Sequence, residues 1–332
     1  MSRKRNFRRR TFLAGAAAAL LAGSMPSATA RAGEWPSQNI AKADESAVAT
    51  LIDVDACTGC GACVSACRKR SAALVPLPKL PIPIPKGTRV QVQDWSGRRD
   101  ETDSLTPYNW LYIQSCTLDT PEGKRQVHLP RRCMHCINPP CVSRCATGAM
   151  TQNRRGHVSI DHDFCIGEAD CLFACPWMIP RRQSGIGPYL RFAPEYLGNG
   201  QTYKCDFCQD TVDKGAAPLC VAACPTGAMH FGPYAEIVRQ ASKMAEERDG
   251  DVFGYAENGG THTLYVFSLP FRDIEAALLK QDGIGPGRPS LRPAGAAMAR
   301  QNRLLRFVLA APVLGAGLAC LRVLRERNGG RR

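Results

Sequence analysis

The sequence predicts an α+β protein made of two small cysteine-rich modules, one inserted into the other, with long loops and a C-terminal transmembrane helix. Three observations lead to this prediction. Fifteen of the 17 cysteines fall into four groups, two sequence motifs alternate along the chain, and a mostly apolar segment precedes the C-terminus. The 332 residues suffice for two compact domains, and 44% hydrophobic with 22% charged residues excludes wholesale disorder.

The N-terminal segment, residues 1–32, has the features of an export signal. Arg9 and Arg10 are followed by Phe12, by an apolar Ala/Leu/Gly run and by small residues typical of a cleavage site. An arginine pair before a mildly hydrophobic core resembles the twin-arginine signal, which exports folded proteins. An ordinary signal-anchor helix is the alternative. We therefore expect the twin-arginine export machinery as a partner.

The net charge of +14 comes from the two ends of the chain. Residues 1–32 contain seven Lys and Arg and no acid, and residues 288–332 contain ten Arg and one Glu. The intervening body has 26 basic against 28 acidic residues. A nucleic-acid-binding domain needs a basic face on its folded body, so the sequence predicts no nucleic-acid partner.

Two motifs alternate along the chain. The first occurs at residues 52–67 and again at 160–175, where eight of sixteen aligned positions are identical. The second occurs at residues 141–150 and 220–229, each time after a Cys-x-x-Cys. Alternating apolar residues predict a short strand before each copy of the first motif. These residues are Val48 and Leu51 for one copy, and Val158 and Ile160 for the other.

The segments outside the repeats differ in character. Residues 68–130 form an insertion, in which the alternating prolines of 76–85 predict an extended polyproline stretch. We therefore expect a surface insertion outside the core that serves as a docking segment. Residues 233–303 are expected to form an extension with one helix, Ala235–Glu247, one strand, Thr261–Phe267, and then a proline-rich linker.

The cysteine spacing predicts iron–sulfur clusters. Cys57-x2-Cys60-x2-Cys63-x3-Cys67 is the bacterial ferredoxin spacing, in which three cysteines bind one cluster and the fourth binds its neighbour. Residues 205–224 alone would also fit a zinc site, and an exported protein can contain disulfides. Four groups with repeated x2 and x3 spacings favour clusters. Export in the folded state would carry clusters out of the cytoplasm, where they are assembled.

The four groups, the arginine pair, the segment Glu257–Val266 and the terminal apolar run together resemble a known family. They are similar to the iron–sulfur β subunits of respiratory oxidoreductases, above all those of periplasmic formate dehydrogenases and hydrogenase-2-type enzymes. The resemblance covers about residues 48–325. It implies two ferredoxin-like two-cluster modules, one split between residues 48–67 and 200–232 and the other formed by residues 131–199.

The resemblance also implies four ligand sets, each completed by a cysteine from a distant group. The sets are Cys57, Cys60 and Cys63 with Cys224; Cys67 with Cys205, Cys208 and Cys220; Cys133, Cys136 and Cys141 with Cys175; and Cys145 with Cys165 and Cys171. The last set has only three cysteines, because Glu168 aligns with Cys60 of the first repeat.

Three hypotheses concern this incomplete set. It holds a [3Fe–4S] cluster with Glu168 as a filler, it holds a [4Fe–4S] cluster with Glu168 as an oxygen ligand, or it is empty. A nitrate reductase β subunit of the same family has tryptophan at this position and a three-iron cluster. A carboxylate is also a harder donor than a thiolate, which disfavours the second hypothesis. The expected cofactors are therefore three [4Fe–4S] clusters and one [3Fe–4S] cluster.

Several other residues adjoin the cysteine groups. His135 and Trp177 are expected to pack around clusters rather than relay electrons. Lys204, Arg131 and Arg132 either raise cluster potentials by offsetting negative charge or are solvated surface bases. The isolated cysteines, Cys116 and Cys320, are expected to be non-ligands.

A single membrane anchor is expected at residues 304–324. The uncharged run 307–321 is too short to cross a bilayer. A span of 21 residues is reached if Arg306 and Arg322 extend to the two interfaces. The alternative is an amphipathic or buried helix that docks on a partner. With the export signal, this anchor predicts a location on the periplasmic side of the bacterial inner membrane.

The resemblance implies a non-catalytic electron-transfer subunit of an oxidoreductase complex. Its catalytic partner would be a molybdenum or tungsten formate dehydrogenase or a nickel–iron hydrogenase, and its membrane partner a cytochrome b or another quinone-reactive subunit. A β subunit of a sulfur-compound or nitrate-type molybdenum reductase, and an independent ferredoxin-like carrier, are the alternatives. The sequence shows no Gly-rich nucleotide loop and no nucleophile–base pair, so no catalytic residues are expected.

Overall fold

The computed structural model describes residues 44–86, 90–191, 193, 195 and 199–295. The predicted export signal and membrane anchor lie outside these residues. In the described part of the chain the strands are β1 Val48–Asp53, β2 Tyr112–Thr120, β3 Gly123–Arg131, β4 Met150–Gln152, β5 Val158–Ile160, β6 Arg181–Ser184, β7 Gly200–Tyr203, β8 Met229–Pro233, β9 Asp251–Phe253 and β10 Thr263–Phe267. The α-helices are α1 Ala62–Ser71, α2 Pro140–Ser143, α3 Asp170–Ala174, α4 Gln209–Val212, α5 Leu219–Ala222, α6 Tyr234–Glu247 and α7 Phe271–Gln281.

A four-stranded sheet joins the two ends of the described chain. Its strand order is β8-β1-β10-β9, with β1 antiparallel to β8 and parallel to β10. All five residues of β10 are buried, as expected for a strand covered on both faces. The predicted strands at β1, β5 and β10 are confirmed. The extension 233–303 is therefore not peripheral, because it supplies a central strand of this sheet.

Helix α6 covers one face of the sheet, and the prediction of a helix here is confirmed. Its buried residues are Tyr234, Ile237, Val238, Ala241 and Ala245. Their spacing of three and four places them on one face of the helix. They pack against β1 and β10 in a core of their own. A larger core, with Trp177 and Leu111 among its members, includes the opposite side of the same strands.

The longest hairpin lies inside the predicted insertion. Strands β2 and β3 pair over nine residues each, and alternate residues such as Cys116, Leu118 and Val127 are buried in the larger core. The prediction that residues 68–130 lie outside the core is therefore wrong for the second half of this segment. The polyproline pattern applies only to the beginning of the segment 68–130, where Leu77 and Leu80 are each 69% exposed.

The remaining short elements frame the cysteine groups. Strands β4 and β5 form one two-stranded sheet, and β6 and β7 form another. Helix α1 packs against α5, and α2 packs against α3. Within the described ranges, no helix is long and apolar enough to cross a membrane.

Candidate metal centres

The two first-motif loops have the same backbone conformation. Gly59 and Gly61 have φ angles of 71° and 76°, and Gly167 and Ala169 have φ angles of 73° and 66°. The left-handed region favours glycine, and alanine there costs about 1–2 kcal/mol. Helices α1 and α3 begin directly after these loops. Position 168 of the second loop therefore has the same backbone setting as Cys60 of the first.

Cysteines from the first and last groups surround two cavities. Site 1 is lined by Cys57, Cys60, Cys63 and Cys224. Site 2 is lined by Cys67, Cys205, Cys208 and Cys220. Each site combines residues about 150 positions apart in the chain, which the pairing of β1 with β8 brings together.

Cysteines from the two middle groups form two further sites. Site 3 is a cavity lined by Cys133, Cys136, Cys141 and Cys175. Site 4 consists of Cys145, Cys165 and Cys171, which lie close enough for the charge of one to affect the pKa of another. All four groupings coincide with the predicted ligand sets. That the cysteines bind clusters remains a prediction.

Short helices distribute cysteines between neighbouring sites. Helix α1 carries Cys63 into site 1 and, four residues later, Cys67 into site 2. Helix α5 carries Cys220 into site 2, and Cys224 beyond its end reaches site 1. Residues four apart lie one above the other on a helix, so one helix serves two sites. In the second module, the corresponding pairs are Cys141 with Cys145 and Cys171 with Cys175.

Electrostatic contacts between cysteines order the sites in a row. Cys220 of site 2 raises the pKa of Cys63 in site 1, after the larger effect of burial. Cys133 of site 3 likewise acts on Cys205 of site 2, and Cys171 of site 4 acts on Cys175 of site 3. The four sites therefore follow one another in the order 1, 2, 3, 4.

Buried thiols and amide donors define the chemistry of the sites. Burial raises the pKa of Cys63 to about 12, so this thiol keeps its proton at neutral pH until a metal replaces it. The amides of Phe207 and Met150 donate to the Sγ atoms of Cys205 and Cys145, both at 3.4 Å. Such donors stabilise a sulfur that carries negative charge. The surroundings therefore suit metal-bound thiolates.

The cysteines of sites 1–3 surround a space rather than meet at a point. Within the described residues, no group of three or more His, Cys, Asp or Glu side chains is placed to hold a single metal ion. An iron–sulfur cluster offers a separate iron to each thiolate and fills the space between them. The donor set and its arrangement therefore fit a cluster.

Site 4 has Glu168 at the position of the missing cysteine. The side chain is exposed, and so is Cys60 at the corresponding position of site 1. A β-carbon at Gly167 would lie 2.1 Å from the carbonyl oxygen of Gly200, so only glycine allows this approach. The loop is therefore held against β7, and Glu168 is held at the edge of site 4.

Arg182, which no sequence pattern indicated, is a fully buried residue of β6 beside site 4. Its Nε atom donates to the carbonyl oxygen of Gly167 at 2.7 Å, and its Nη1 atom donates to Ser184 Oγ at 2.6 Å. Burial lowers the pKa of Arg182 to about 10, although the neighbouring Cys165 opposes this, so it stays charged at neutral pH. All four residues of β6 are polar and buried, and no hydrophobic alternation could have indicated this.

His135 and Trp177 make the packing contacts expected from the sequence. His135 is completely buried, its Nδ1 atom accepts from the Val158 amide at 3.0 Å, and its ring meets Phe207 edge-on with centroids 4.8 Å apart. Trp177 lines site 3 and meets Phe253 edge-on at 6.5 Å. His135 therefore lies between residues that line sites 2 and 3, and Trp177 forms part of the wall of site 3.

The three basic residues next to the cysteine groups are buried. Arg131, Arg132 and Lys204 are 1%, 2% and 4% exposed. The alternative that they are solvated surface bases is therefore wrong. Arg131 donates to the carbonyl oxygens of Pro289 and Ser290, at 3.2 and 2.9 Å, and it is not among the residues that line sites 1–3.

The isolated Cys116 lies in β2 opposite Val127 of β3. It is 4% exposed and belongs to the larger core, apart from the residues that line sites 1–3. Burial raises its pKa to about 11. Cys320 lies outside the described residues.

Comparisons with known proteins agree with the geometry. Residues 56–149 and residues 125–234 each match the 4Fe-4S dicluster domain. Together with the four sites, these matches define an electron-transfer protein of the ferredoxin type rather than a zinc protein.

Comparison with curated relatives identifies the family to which the chain belongs within this class. The chain is 29% identical to the hydrogenase-2 operon protein HybA of Escherichia coli O157:H7 over 318 residues, which covers 85% of this chain and 87% of the relative. It is 31% identical to the iron–sulfur subunit of nitrate-inducible formate dehydrogenase of Escherichia coli K12, covering 66% and 67%. It is also 31% identical to the formate dehydrogenase-O iron–sulfur subunit of the same strain, covering 66% of each chain. The chain belongs to the family of iron–sulfur electron-transfer subunits of respiratory oxidoreductases, and it is not a catalytic subunit.

Proposed function

We propose that this chain carries four iron–sulfur clusters that pass single electrons between a catalytic subunit and a quinone-linked membrane subunit of a periplasmic respiratory complex. The observation that carries this proposal is the arrangement of sites 1–4 in one row. A row of sites has two ends, and each end can face a different partner. An independent carrier would need only one exposed site.

The relatives support the choice of catalytic partner. Their names place them with hydrogenase-2 and with formate dehydrogenases. We assign this chain to a complex with a nickel–iron hydrogenase or with a molybdenum or tungsten formate dehydrogenase.

The site 4 end is assigned to the membrane subunit, as the resemblance to nitrate reductase implies. Two large apolar side chains next to the cysteines of this site support the assignment. Phe164 and Phe173 are 62% and 78% exposed. Phe164 directly precedes Cys165 and Phe173 lies between Cys171 and Cys175, so both leave apolar surface beside site 4 that a partner could cover.

The proposed cofactors are [4Fe–4S] clusters at sites 1–3 and a [3Fe–4S] cluster at site 4. Three thiolates are available at site 4, and Glu168 offers only a hard carboxylate oxygen as a fourth ligand. The cysteines and the amides that donate to them hold the clusters, while the buried core between sites excludes water.

Export and anchoring rest on the sequence alone. The arginine pair in residues 1–32 supports twin-arginine export, and the apolar run in 304–324 supports a single membrane anchor. Both features support a location on the periplasmic side of the inner membrane.

The test is anaerobic purification of the tagged protein from detergent-solubilised membranes. We expect a hydrogenase or formate dehydrogenase catalytic subunit to copurify, with about 15 irons per chain and one three-iron paramagnetic signal after mild oxidation. A chain purified with zinc and without visible cluster absorption would refute the proposal. About 16 irons without a three-iron signal would instead retain the complex and assign Glu168 as a ligand.

A further inference from the structure

Two basic residues occupy equivalent positions in the second-motif repeats. Arg132 directly precedes Cys133, and Lys204 directly precedes Cys205. Both are almost fully buried, at 2% and 4% exposure. Among the described residues, no carboxylate oxygen lies within 4 Å of either cationic group. Burying a charge without such a partner is costly, so each needs another source of negative charge.

Each of these cations faces the site of the other repeat. Arg132 lines site 2, where its Nη1 atom lies 3.7 Å from Cys205 Sγ. Lys204 lines site 3 together with Cys133 and Cys141. The two residues are therefore exchanged across the boundary between sites 2 and 3. The equivalent rings His135 and Phe207 meet at the same boundary.

Hydrogen bonds hold both cations in place without neutralising them. Lys204 Nζ donates to the carbonyl oxygens of Val158, at 2.5 Å, and Cys205, at 3.0 Å. Arg132 donates to Thr50 Oγ1, and its Nε atom has no partner among the described residues.

Site 1 differs from sites 2 and 3 in its lining. Apart from its cysteines it is lined by uncharged residues: Thr58, Ile113, Pro130, Pro225, Thr226, Ala228 and Met229. Reduction adds one electron to a cluster and breaks no bond, so the reduced state carries one more negative charge. A nearby buried cation stabilises that state and raises the potential, and in the described part of the chain no cation lines site 1.

We propose that Arg132 and Lys204 raise the reduction potentials of sites 2 and 3, and that each cation acts on the site whose cysteines follow the other cation in the sequence. Arg132 acts on site 2, and Lys204 acts on site 3. Site 1 consequently has the lowest potential of these three sites. The inference rests on the clusters of the proposed function.

The test is a redox titration of the purified complex, followed by electron paramagnetic resonance. Reference variants Cys208→Ser and Cys136→Ser assign the signals of sites 2 and 3. We expect Lys204→Gln to make reduction of site 3 at least tenfold less favourable, a shift of about 59 mV for one electron. In the same variant, the potential of site 2 should shift less. Arg132→Gln should lower the potential of site 2 by a similar amount and that of site 3 by less.

The charge-retaining variants Lys204→Arg and Arg132→Lys are the matched controls, and they should keep both potentials near their wild-type values. If Lys204→Gln shifts mainly the potential of site 2, whose Cys205 directly follows Lys204 in the sequence, the proposal is overturned. If the charge-retaining variants shift the potentials as much as the glutamine variants do, the proposal is overturned as well.

The order of potentials in the unmodified complex tests the same idea without substituting either cation. Site 1, assigned with Cys60→Ser, must have the lowest potential of sites 1–3, and a higher value than site 2 or 3 contradicts the proposal. Iron analysis separates the two proposals. A complex without clusters refutes the proposed function, whereas fully loaded clusters with unshifted potentials refute only the role of the two cations.

Discussion

The substitution Glu168→Cys supplies the cysteine that site 4 lacks. Gly167 and Ala169 have left-handed φ angles like those of Gly59 and Gly61, so we expect the new thiol to take the position that Cys60 has at site 1. We expect the iron content to rise from about 15 to about 16 per chain. The three-iron signal of the oxidised protein should disappear, and a fourth [4Fe–4S] signal should appear on reduction.

The added thiolate should also lower the potential of site 4. A unit charge about 4 Å away at an effective dielectric constant near 20 contributes about 4 kcal/mol, which corresponds to a shift of about 170 mV for one electron. Electron exchange with quinone should therefore slow. Dye-linked activity at the catalytic subunit should change little, because the dye bypasses site 4.

Two companion variants control for packing and for the carboxylate. Ala169→Gly relieves a left-handed alanine that costs about 1–2 kcal/mol, so the double variant with Glu168→Cys should load its fourth iron more completely. Glu168→Gln removes the negative charge without adding a ligand. It should leave the iron content and the three-iron signal unchanged.

Two results would refute this reasoning. If Glu168→Gln loses one iron, the carboxylate of the wild-type protein is a ligand. If Glu168→Cys/Ala169→Gly keeps three irons at site 4 although the protein is folded, the two loops are not equivalent.

Three further predictions concern stability and location. Arg248→Gln should destabilise the anaerobic holoprotein toward chemical denaturation by about 2 kcal/mol, less than the ~3–5 for a fully buried pair because the Arg248 side chain is 32% exposed. Burial raises the pKa of Asp53, but Arg248 outweighs burial and holds it below its ordinary value, so this stabilisation is lost as pH falls through that lowered pKa and acid should narrow the difference from wild type. Deleting residues 304–332 should release the folded body from membranes stripped of partners, and retention in the membrane fraction contradicts the anchor. Replacing Arg9 and Arg10 by lysine should trap cluster-loaded protein in the cytoplasm, and continued export would contradict twin-arginine targeting.

Much of the cysteine framework could be predicted from the sequence, because spacing along a tight loop is a local property. The repeat alignment identified Glu168 as the substitute for a cysteine, and the backbone angles of its loop agree with that alignment. Helix α6 and strand β10 were also predictable, since their apolar residues follow helical spacing or a continuous buried run. Which distant cysteine completes each set is a long-range property, and only the family resemblance supplied it.

Other features depend on contacts that spacing does not encode. The hairpin β2–β3 was missed because its alternation follows a polyproline segment that dominated the interpretation of residues 68–130. The burial of Arg132 and Lys204 was undecided, since a base beside a cysteine looks the same in sequence whether it faces solvent or another site. Arg182 gave no signal at all, because a fully polar strand is ordinarily an exposed one.

The strand order β8-β1-β10-β9 sets a minimum length for a finished molecule. Cysteines 133–175 supply sites 3 and 4, but Thr261 bridges to Cys136 and the Thr263 hydroxyl donates to the carbonyl oxygen of Cys133, so even this inner part needs residues that come late in the chain. The outer part needs them too, because β1 near the start of the chain pairs with β10, which ends at Phe267. Neither module can therefore be complete before the chain has been made as far as β10, and a folded body next to the predicted export signal requires synthesis to that point.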